Sequence, residues 1–268
     1  MSFNYEQSIW GRGTATLKWS DPMNIRLGRC LKSLRKLPEG AKILEIGCGA
    51  GAFIRAIKKI RPEWECFGVD LSQEAINTAV GAVDGVRYTA FDGGRFPYED
   101  NNFDAVIFMD VLEHVSEPEN FVAEIKRVLK TKGIMYGFVP CEGDKTSLWR
   151  WLDKLGWKNN LTNRFAGHVN FFSLAEARKI FINSGFRIKS ETYAENILGQ
   201  ILGVAVFKAM GRAANKSGGQ INNETFFAQE SSAGFSKLKK FVNCLITLES
   251  KLLFWLPSPN VHIVAKKL

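Results

Sequence analysis

The sequence predicts an α/β protein built on a doubly wound, mostly parallel sheet. Two observations carry this. Short apolar runs rich in β-branched and aromatic residues alternate with helix-period segments through the middle of the chain, joined by short connections. That is the pattern of βαβ units, whose right-handed crossovers place helices on both faces of a sheet. The first run also ends in a glycine turn, KILEIGCGAGAF over residues 42–53. A strand, a glycine turn and a helix start present bare backbone N–H groups to a ligand.

Taken in order, Met23 to Leu37 reads as a basic amphipathic helix stopped by Pro38-Glu39-Gly40. Strands follow at Ile43–Ile46, Cys66–Val69, Val86–Phe91, Ala105–Met109 and Ile134–Val139. Helical patterns lie between them at Phe53–Ile60, Gln73–Val80 and Glu119–Leu129, the last with Phe121, Ile125, Val128 and Leu129 on one face. Ser173 to Asn183 is a further helix, with Ser173 as N-cap and Glu176 at the capping-box position. Gly185 stops it, and Phe186–Ser190 resumes a strand. From Ala194 to Pro259 the rhythm breaks: two apolar helical stretches flank the piece GRAANKSGGQINNET, which suits a flexible connector inside a lid. Val261–Ala265 reads as a final strand. The expected organisation is a helical cap over residues 1–40, a core over 41–193, a helical insertion or lid over 194–259, and a last core strand over 260–268.

With 268 residues, 46% hydrophobic and 24% charged, the chain has the composition of a soluble globular protein able to bury a proper core. MSFNYEQSIWGRG has no apolar centre and does not read as a signal peptide. The longest apolar candidate, Ile197 to Met210, is too short to span a bilayer and contains Lys208. Cys30, Cys48, Cys66, Cys141 and Cys244 are scattered without a CxxC pair, which predicts free thiols in a cytoplasmic setting and neither a disulfide frame nor a zinc site. The net charge of +9 sits in the flanks. Residues 1–42 carry 8 Lys/Arg against 3 Asp/Glu, and residues 194–268 carry 9 against 4, whereas 43–193 carry 19 against 20. An anionic partner, whether phosphate, lipid surface or nucleic acid, would meet the flanks.

Two ligand classes compete for the glycine turn. GCGAGA satisfies the dinucleotide pattern G-x-G-x-x-G/A, with Asp70 near the acidic position expected about 20 residues on. That reading makes the chain an NAD(P)-dependent oxidoreductase. It leaves Glu45 unexplained, because an acidic side chain there answers an ammonium group, which NAD lacks. ILEIGCGAG is followed in order by GVDLS, FDGGRFPYEDNNFDAVIFMDVLEHV, LKTKGIMYGFVP and GHVNFFSLAEARKIFINSGF. Over about residues 40–193 and the last strand, this series resembles the class I S-adenosylmethionine-dependent methyltransferases, in particular the type 11 group that includes ubiquinone- and menaquinone-biosynthesis enzymes.

The resemblance implies a Rossmann-like sheet of seven strands in the order 3-2-1-4-5-7-6 with the last strand antiparallel. It implies S-adenosyl-L-methionine as cofactor and S-adenosyl-L-homocysteine as product; no metal is expected, since no metal-ligating cluster is evident in the sequence. Gly47, Cys48, Gly49 and Gly51 would pack against the methionine portion, and Glu45 would help hold its amino group. Asp70, with Leu71 beside it, would take both ribose hydroxyls, and Asp92 with Gly93 would take the adenine amino group. Asp110 and Val111 would flank the sulfonium.

Methyl transfer is an in-line displacement, so alignment and exclusion of water carry much of the rate. A hydroxyl acceptor also needs a general base, and histidine suits neutral pH. His114, after the fourth strand, and His168, before the late helix, are the candidates; His262 reads as structural. DVLEHV stands where amine-directed methyltransferases carry Asn/Asp-Pro-Pro-Tyr/Phe, so nucleic-acid bases and glutamine amides are disfavoured. Tyr5, Trp10 and Trp19 before the first helix, and Trp149, Trp151, Trp157 and Phe165 after the fifth strand, could meet an apolar acceptor. The basic, then apolar, FSKLKKFVNCLITLESKLLFWLP could cover the site, form a dimer contact or dock on an anionic membrane surface. The expected reaction is methylation of oxygen or carbon on a small or lipid-like acceptor, with quinones and sugars both open. An RNA methyltransferase using the basic flanks is the alternative from another class.

Overall fold

The computed structural model describes residues 9–155, 167–217 and 233–268. In chain order its strands are β1 (Lys42–Ile46), β2 (Glu65–Asp70), β3 (Arg87–Ala90), β4 (Phe103–Met109), β5 (Leu129–Pro140), β6 (Phe186–Ala194) and β7 (Asn260–Lys267). The helices are α1 (Asn24–Leu34), α2 (Ala52–Ile60), α3 (Gln73–Val80), α4 (Pro118–Val128), α5 (Leu148–Lys154), α6 (Leu174–Asn183), α7 (Leu198–Ser217) and α8 (Ala233–Leu252).

Strands that are apolar on both sides build a sheet covered on both faces. β1 sends Ile43 into one core cluster and Leu44 and Ile46 into the other. β4 divides in the same way, with Ala105, Ile107 and Met109 on one side and Val106 and Phe108 on the other. Leu27, Leu34, Phe53 and Ile57 of α1 and α2 cover the first face; Val122, Ile125, Ala177 and Phe181 of α4 and α6 cover the second. The sheet order is β3-β2-β1-β4-β5-β7-β6. β7 is antiparallel to both neighbours and the other pairings are parallel. The strand order implied by the resemblance is the one observed.

Local signals place most boundaries. Ser72 caps α3 by accepting from the Ala75 N–H at 3.0 Å. Ser173 and Glu176 form the expected capping box. Several boundaries move by a residue or two, β6 runs on to Ala194, and three further shifts have a visible cause or consequence. α1 ends at Leu34, where Leu37 N–H already turns back to the Leu34 carbonyl at 3.0 Å. α4 stops at Val128 because Leu129 pairs with Phe103, so β5 begins there and not at Ile134. α7 runs through to Ser217, so Gly211 to Ser217 of the expected connector are helical. Residues 218–225 of that connector lie outside the described residues.

Gly137 in the middle of β5 lies flat against the Phe108 ring, which a Cβ would strike. Gly137→Ala forces a fully buried ring to move, and overpacking of this kind costs about 1–3 kcal/mol. Urea unfolding of the variant is expected to show a lower midpoint at unchanged m-value.

Candidate functional site

The carboxyl ends of the central strands open into a cavity of about 2000 Å³, where an open α/β sheet binds its ligands. The glycine turn forms its floor. Gly47 and Cys48 N–H groups both donate to the Val69 carbonyl, at 2.9 and 3.0 Å, which locks the turn to β2. The N-terminal strap crosses it: Ala50 N–H donates to the Trp10 carbonyl at 2.7 Å. Gly49 is left-handed, with φ +52°, and an added Cβ would stand 2.5 Å from that same carbonyl. Only glycine fits there. Behind the turn, Asp84 accepts from Arg55 Nε and from the Tyr88 hydroxyl, both at 2.7 Å, bracing the wall that Gly51 abuts.

Asp70 ends β2 with one N–H on each carboxylate oxygen: Gly49 on Oδ2 at 2.7 Å and Ser72 on Oδ1 at 2.9 Å. Because Ser72 caps α3, Asp70 stays at the strand end, where its carboxylate lines the cavity. Glu45 is 2% exposed and accepts from the Ile54 N–H at 2.9 Å. Burial pushes its carboxyl well above the usual range, the Ile54 N–H works the other way, and charge on Asp70 adds to the rise. Asp92 lies exposed in a turn, its Oδ1 accepting from Gly94 N–H at 3.0 Å. Left-handed Gly93 beside it abuts Leu71, whose side chain is exposed on the cavity wall.

Asp110 follows β4 and Glu195 follows β6; both have left-handed backbone, at φ 51° and 53°, unusual for residues other than glycine. Arg26 of α1 joins them. Its guanidinium pairs with Asp110 Oδ2, lies 3.8 Å from Glu195 Oε1, and stacks over Phe138 at 3.8 Å from the ring centre. Burial opposes its charge, and the two carboxylates outweigh burial and hold it cationic. Val111 packs behind Gly47.

The two candidate bases meet. A short 3-10 turn, Leu112–His114, follows β4, and the Glu113 carbonyl accepts from Val169 and Asn170 N–H at 2.9 and 3.0 Å. This brings His114 and His168 together edge-on, with ring centres 5.0 Å apart. His114 Nδ1 lies 3.1 Å from the Gly167 carbonyl, and burial, then His168, lowers its pKa to about 4. His168 Nδ1 lies 3.2 Å from Glu142 Oε1. Burial works against protonating His168, but the bond to Glu142 and the charges of Glu113 and Glu142 prevail and raise its pKa. Glu113 is fully buried, neither carboxylate oxygen has a hydrogen bond among the described residues, and burial, then Asp110, pushes its pKa up to about 8. Ligand atoms of Glu113, His114 and His168 lie within 4.8 Å of one another, so these three residues could hold a metal ion. No close sequence spacing announced the grouping, since His168 arrives from a distant loop.

Among the aromatic residues, Trp10 and Trp149 line the cavity, Trp149 edge-on to Phe207 at 5.7 Å. Trp19 lies outside the cavity wall, its ring under Lys251 Nζ at 4.0 Å. Trp151 is exposed, donating to the Lys145 carbonyl at 2.9 Å. Tyr5, Trp157 and Phe165 lie outside the described residues. His262 is buried in β7, 2.7 Å from the Tyr136 hydroxyl, which agrees with a structural place. Sequence reasoning missed Arg26, Glu113, Glu142 and Glu195.

The profile of the family described as a methyltransferase domain matches residues 44–137. A ubiquinone biosynthesis O-methyltransferase of Mesorhizobium japonicum is 32% identical over 120 residues, covering 43% of this chain and 47% of that enzyme. The chain belongs to the class I S-adenosylmethionine-dependent methyltransferases. An uncharacterized protein of Methanocaldococcus jannaschii is 30% identical over 173 residues, 63% of this methyltransferase and 76% of that protein. The methyltransferase thus spans about three quarters of this relative's length and about half that of the ubiquinone enzyme. YcgJ of Bacillus subtilis shares the fold, with a TM-score of 0.54 at 20% identity, covering 90% of this chain and 97% of that one.

Proposed function

We propose that this methyltransferase methylates an ionisable hydroxyl oxygen on a small or lipid-like acceptor, with His168 taking up the proton. The observation that carries the proposal is the His168–Glu142 pair at 3.2 Å in the cavity wall that also holds Asp110 and Val111. A carboxylate beside one imidazole nitrogen orients the ring and raises its basicity, while Nε2 lies 3.9 Å from Glu113 Oε1. His114 is neutral at physiological pH and serves to position the loop through Gly167.

The cavity floor fits S-adenosylmethionine. Glu45, buried with no cation paired to it among the described residues, suits its ammonium; Asp70, a two-oxygen carboxylate at the end of β2 on the cavity wall, suits the vicinal diol; Asp92 beside the apolar Leu71 suits the amino edge and face of a purine. Bound there, the cofactor supplies an electrophilic methyl group. The chain's own residues do the rest: Asp110 and Val111 set the position of the reacting end, α7 and α8 exclude water, and His168 receives the hydroxyl proton. Trp149, Leu202, Val206, Phe207, Val242 and Ile246 make the far wall apolar, which suits an aromatic or lipid-like acceptor. The likeness to a ubiquinone biosynthesis O-methyltransferase supports an oxygen acceptor.

The test is turnover of radiolabelled S-adenosylmethionine over a panel of quinols, catechols and sugars, followed by a pH profile with the best acceptor. Since the His168 pKa is raised above its ordinary 6.5, its basic form accumulates only at higher pH, so kcat/KM is expected to climb through a limb centred above 6.5. Glu142→Gln removes the partner that raises it, moving the limb to lower pH, and His168→Ala lowers kcat by roughly 100-fold or more. An unmoved limb in Glu142→Gln, or methyl incorporation on carbon alone, overturns the proposal. In this scheme dialysis against a chelator leaves turnover unchanged. Loss of turnover that a divalent cation restores would instead place a metal on Glu113, His114 and His168.

A further inference from the structure

The helix α8 turns polar groups inward beside the cavity-lining Val242 and Ile246, and keeps a second apolar stripe on its outer side. Its polar side faces inward: Asn243 Nδ2 donates to the Ser20 carbonyl at 2.9 Å, Thr247 Oγ1 donates to the Trp19 carbonyl at 3.0 Å, and the Ser250 hydroxyl accepts from Glu195 N–H at 2.9 Å. Thr247 and Ser250 are buried, at 2% and 0% exposure. The apolar side faces out. Leu238, Phe241, Leu245, Leu248 and Leu252 follow the three-four spacing of one helix face, and Trp255 continues it; Phe241, Leu252 and Trp255 are 61%, 63% and 63% exposed. A surface helix ordinarily turns such a stripe to the core. Ile197, Leu198 and Ile201, at and just before the start of α7, are exposed as well.

Charge distinguishes the possible occupants of this face. Lys237, Lys240 and Lys251 are exposed along the stripe, while Glu249, the one acidic residue of α8, accepts from the N–H groups of Ile197 and Leu198 at 2.9 and 2.8 Å and so is committed to the start of α7. A second copy packed here would set like charges against each other without a carboxylate to pair them. An anionic bilayer complements both features, taking the leucines and Trp255 into its boundary and the lysines to its headgroups. Among the described residues no helix is long and apolar enough to cross a membrane, so the contact is in the plane of the surface.

We propose that α8, with Trp255 and the start of α7, docks the protein on an anionic lipid bilayer. Leu238 belongs both to the outward stripe and to the cavity lining, next to Lys239, Val242 and Ile246. The docked face therefore borders the cavity, and a lipid-soluble acceptor reaches the site between α7 and α8 without crossing water. Docking stands on the surface alone; delivery of the acceptor rests on the reading under Proposed function.

The test is co-sedimentation with vesicles of phosphatidylcholine, with and without phosphatidylglycerol, across a salt series. The expected result is binding to the anionic vesicles that weakens with salt and falls by roughly tenfold or more without phosphatidylglycerol. Phe241→Ser/Leu245→Ser/Leu252→Ser, none of which lines the cavity, is expected to lose binding to the same degree while S-adenosylmethionine affinity by calorimetry and the circular dichroism spectrum stay unchanged. Lys237→Glu/Lys240→Glu is expected to lose the preference for anionic lipid. Equal sedimentation with and without vesicles overturns the proposal. So does light scattering that shows a dimer which the triple serine variant dissociates, since a second copy then covers the stripe. Both readouts are independent of turnover, so a failed docking experiment leaves the methyl-transfer reading standing.

Discussion

Asp70→Ala is expected to reduce S-adenosylmethionine affinity by on the order of 100-fold or more, as measured by calorimetry. Hydrogen bonds to a charged group are worth about 1.5–3 kcal/mol each, and a vicinal diol on this carboxylate would make two. The variant also strips the acceptors of two backbone donors, Gly49 N–H at 2.7 Å and Ser72 N–H at 2.9 Å, so the glycine turn loses one of its ties to β2 and keeps those to the Val69 carbonyl. Asp70→Asn keeps an oxygen acceptor and is expected to fall in between, by roughly tenfold. Titration with NADH is expected to give no signal in any of the three proteins. Full affinity in the alanine variant would remove the diol from Asp70 and, with it, the placing of Glu45 and Asp92 on the same ligand.

Arg26→Ala is expected to cost both stability and turnover, because one guanidinium holds two carboxylates on strained backbone. Leaving buried partners unpaired costs about 3–5 kcal/mol. Here Asp110 and Glu195 side chains are 38% and 34% exposed, so solvent screens part of that and about 1–3 kcal/mol is the better expectation. Thermal unfolding should fall by roughly 2–10 °C for a chain of this size. The kinetic effect is larger: with Asp110 released beside the reacting centre, misplacement by about 1 Å lowers kcat by roughly 100-fold. Arg26→Lys is not expected to rescue, since a point charge cannot bridge two carboxylates and stack on Phe138 as a planar fork does. Rescue by lysine would mean that net charge alone matters at this position. Saturating S-adenosylmethionine separates the loss of kcat from any loss of cofactor affinity.

These two residues also mark how far the chain could be read in one dimension. The position of Asp70 was legible because it is set locally: it ends an apolar run, a capping serine follows two residues on, and the glycine turn precedes it by a fixed step. The same holds for Glu45, Gly49 and Asp92, each placed by its strand end. Arg26 was illegible. In the sequence it is one of several basic residues on an amphipathic helix, and nothing in that periodicity separates it from Arg29, Lys32 or Arg35. Its partners lie at the ends of β4 and β6, and only the packing of α1 against β5 brings it to them.

The histidines fall between these cases. Their positions on the ligand side of the sheet could be read from the order of strands. Their contact with each other, the burial of Glu113 and the attachment of Glu142 to His168 could not, because two loops converge there. The polarity of α8 is the sharpest divergence. The composition of FSKLKKFVNCLITLESKLLFWLP shows an amphipathic helix, but either face can satisfy a helix. Hydrogen bonds from Asn243 and Thr247 to the N-terminal strap decided that the polar side turns in.

By itself, then, the sequence determined the βαβ rhythm, the caps of α3 and α6, the glycine turn and the carboxylates set along its ligand edge. Each depends on the stereochemistry of a few neighbouring residues or on a period of two or 3.6 that the chain carries within itself. The tertiary structure decided which charges meet and which faces stay open, because those depend on sheet order and helix packing between residues far apart in the chain. Arg26 between Asp110 and Glu195, His168 on Glu142, and the outward stripe of α8 all belong to that second class.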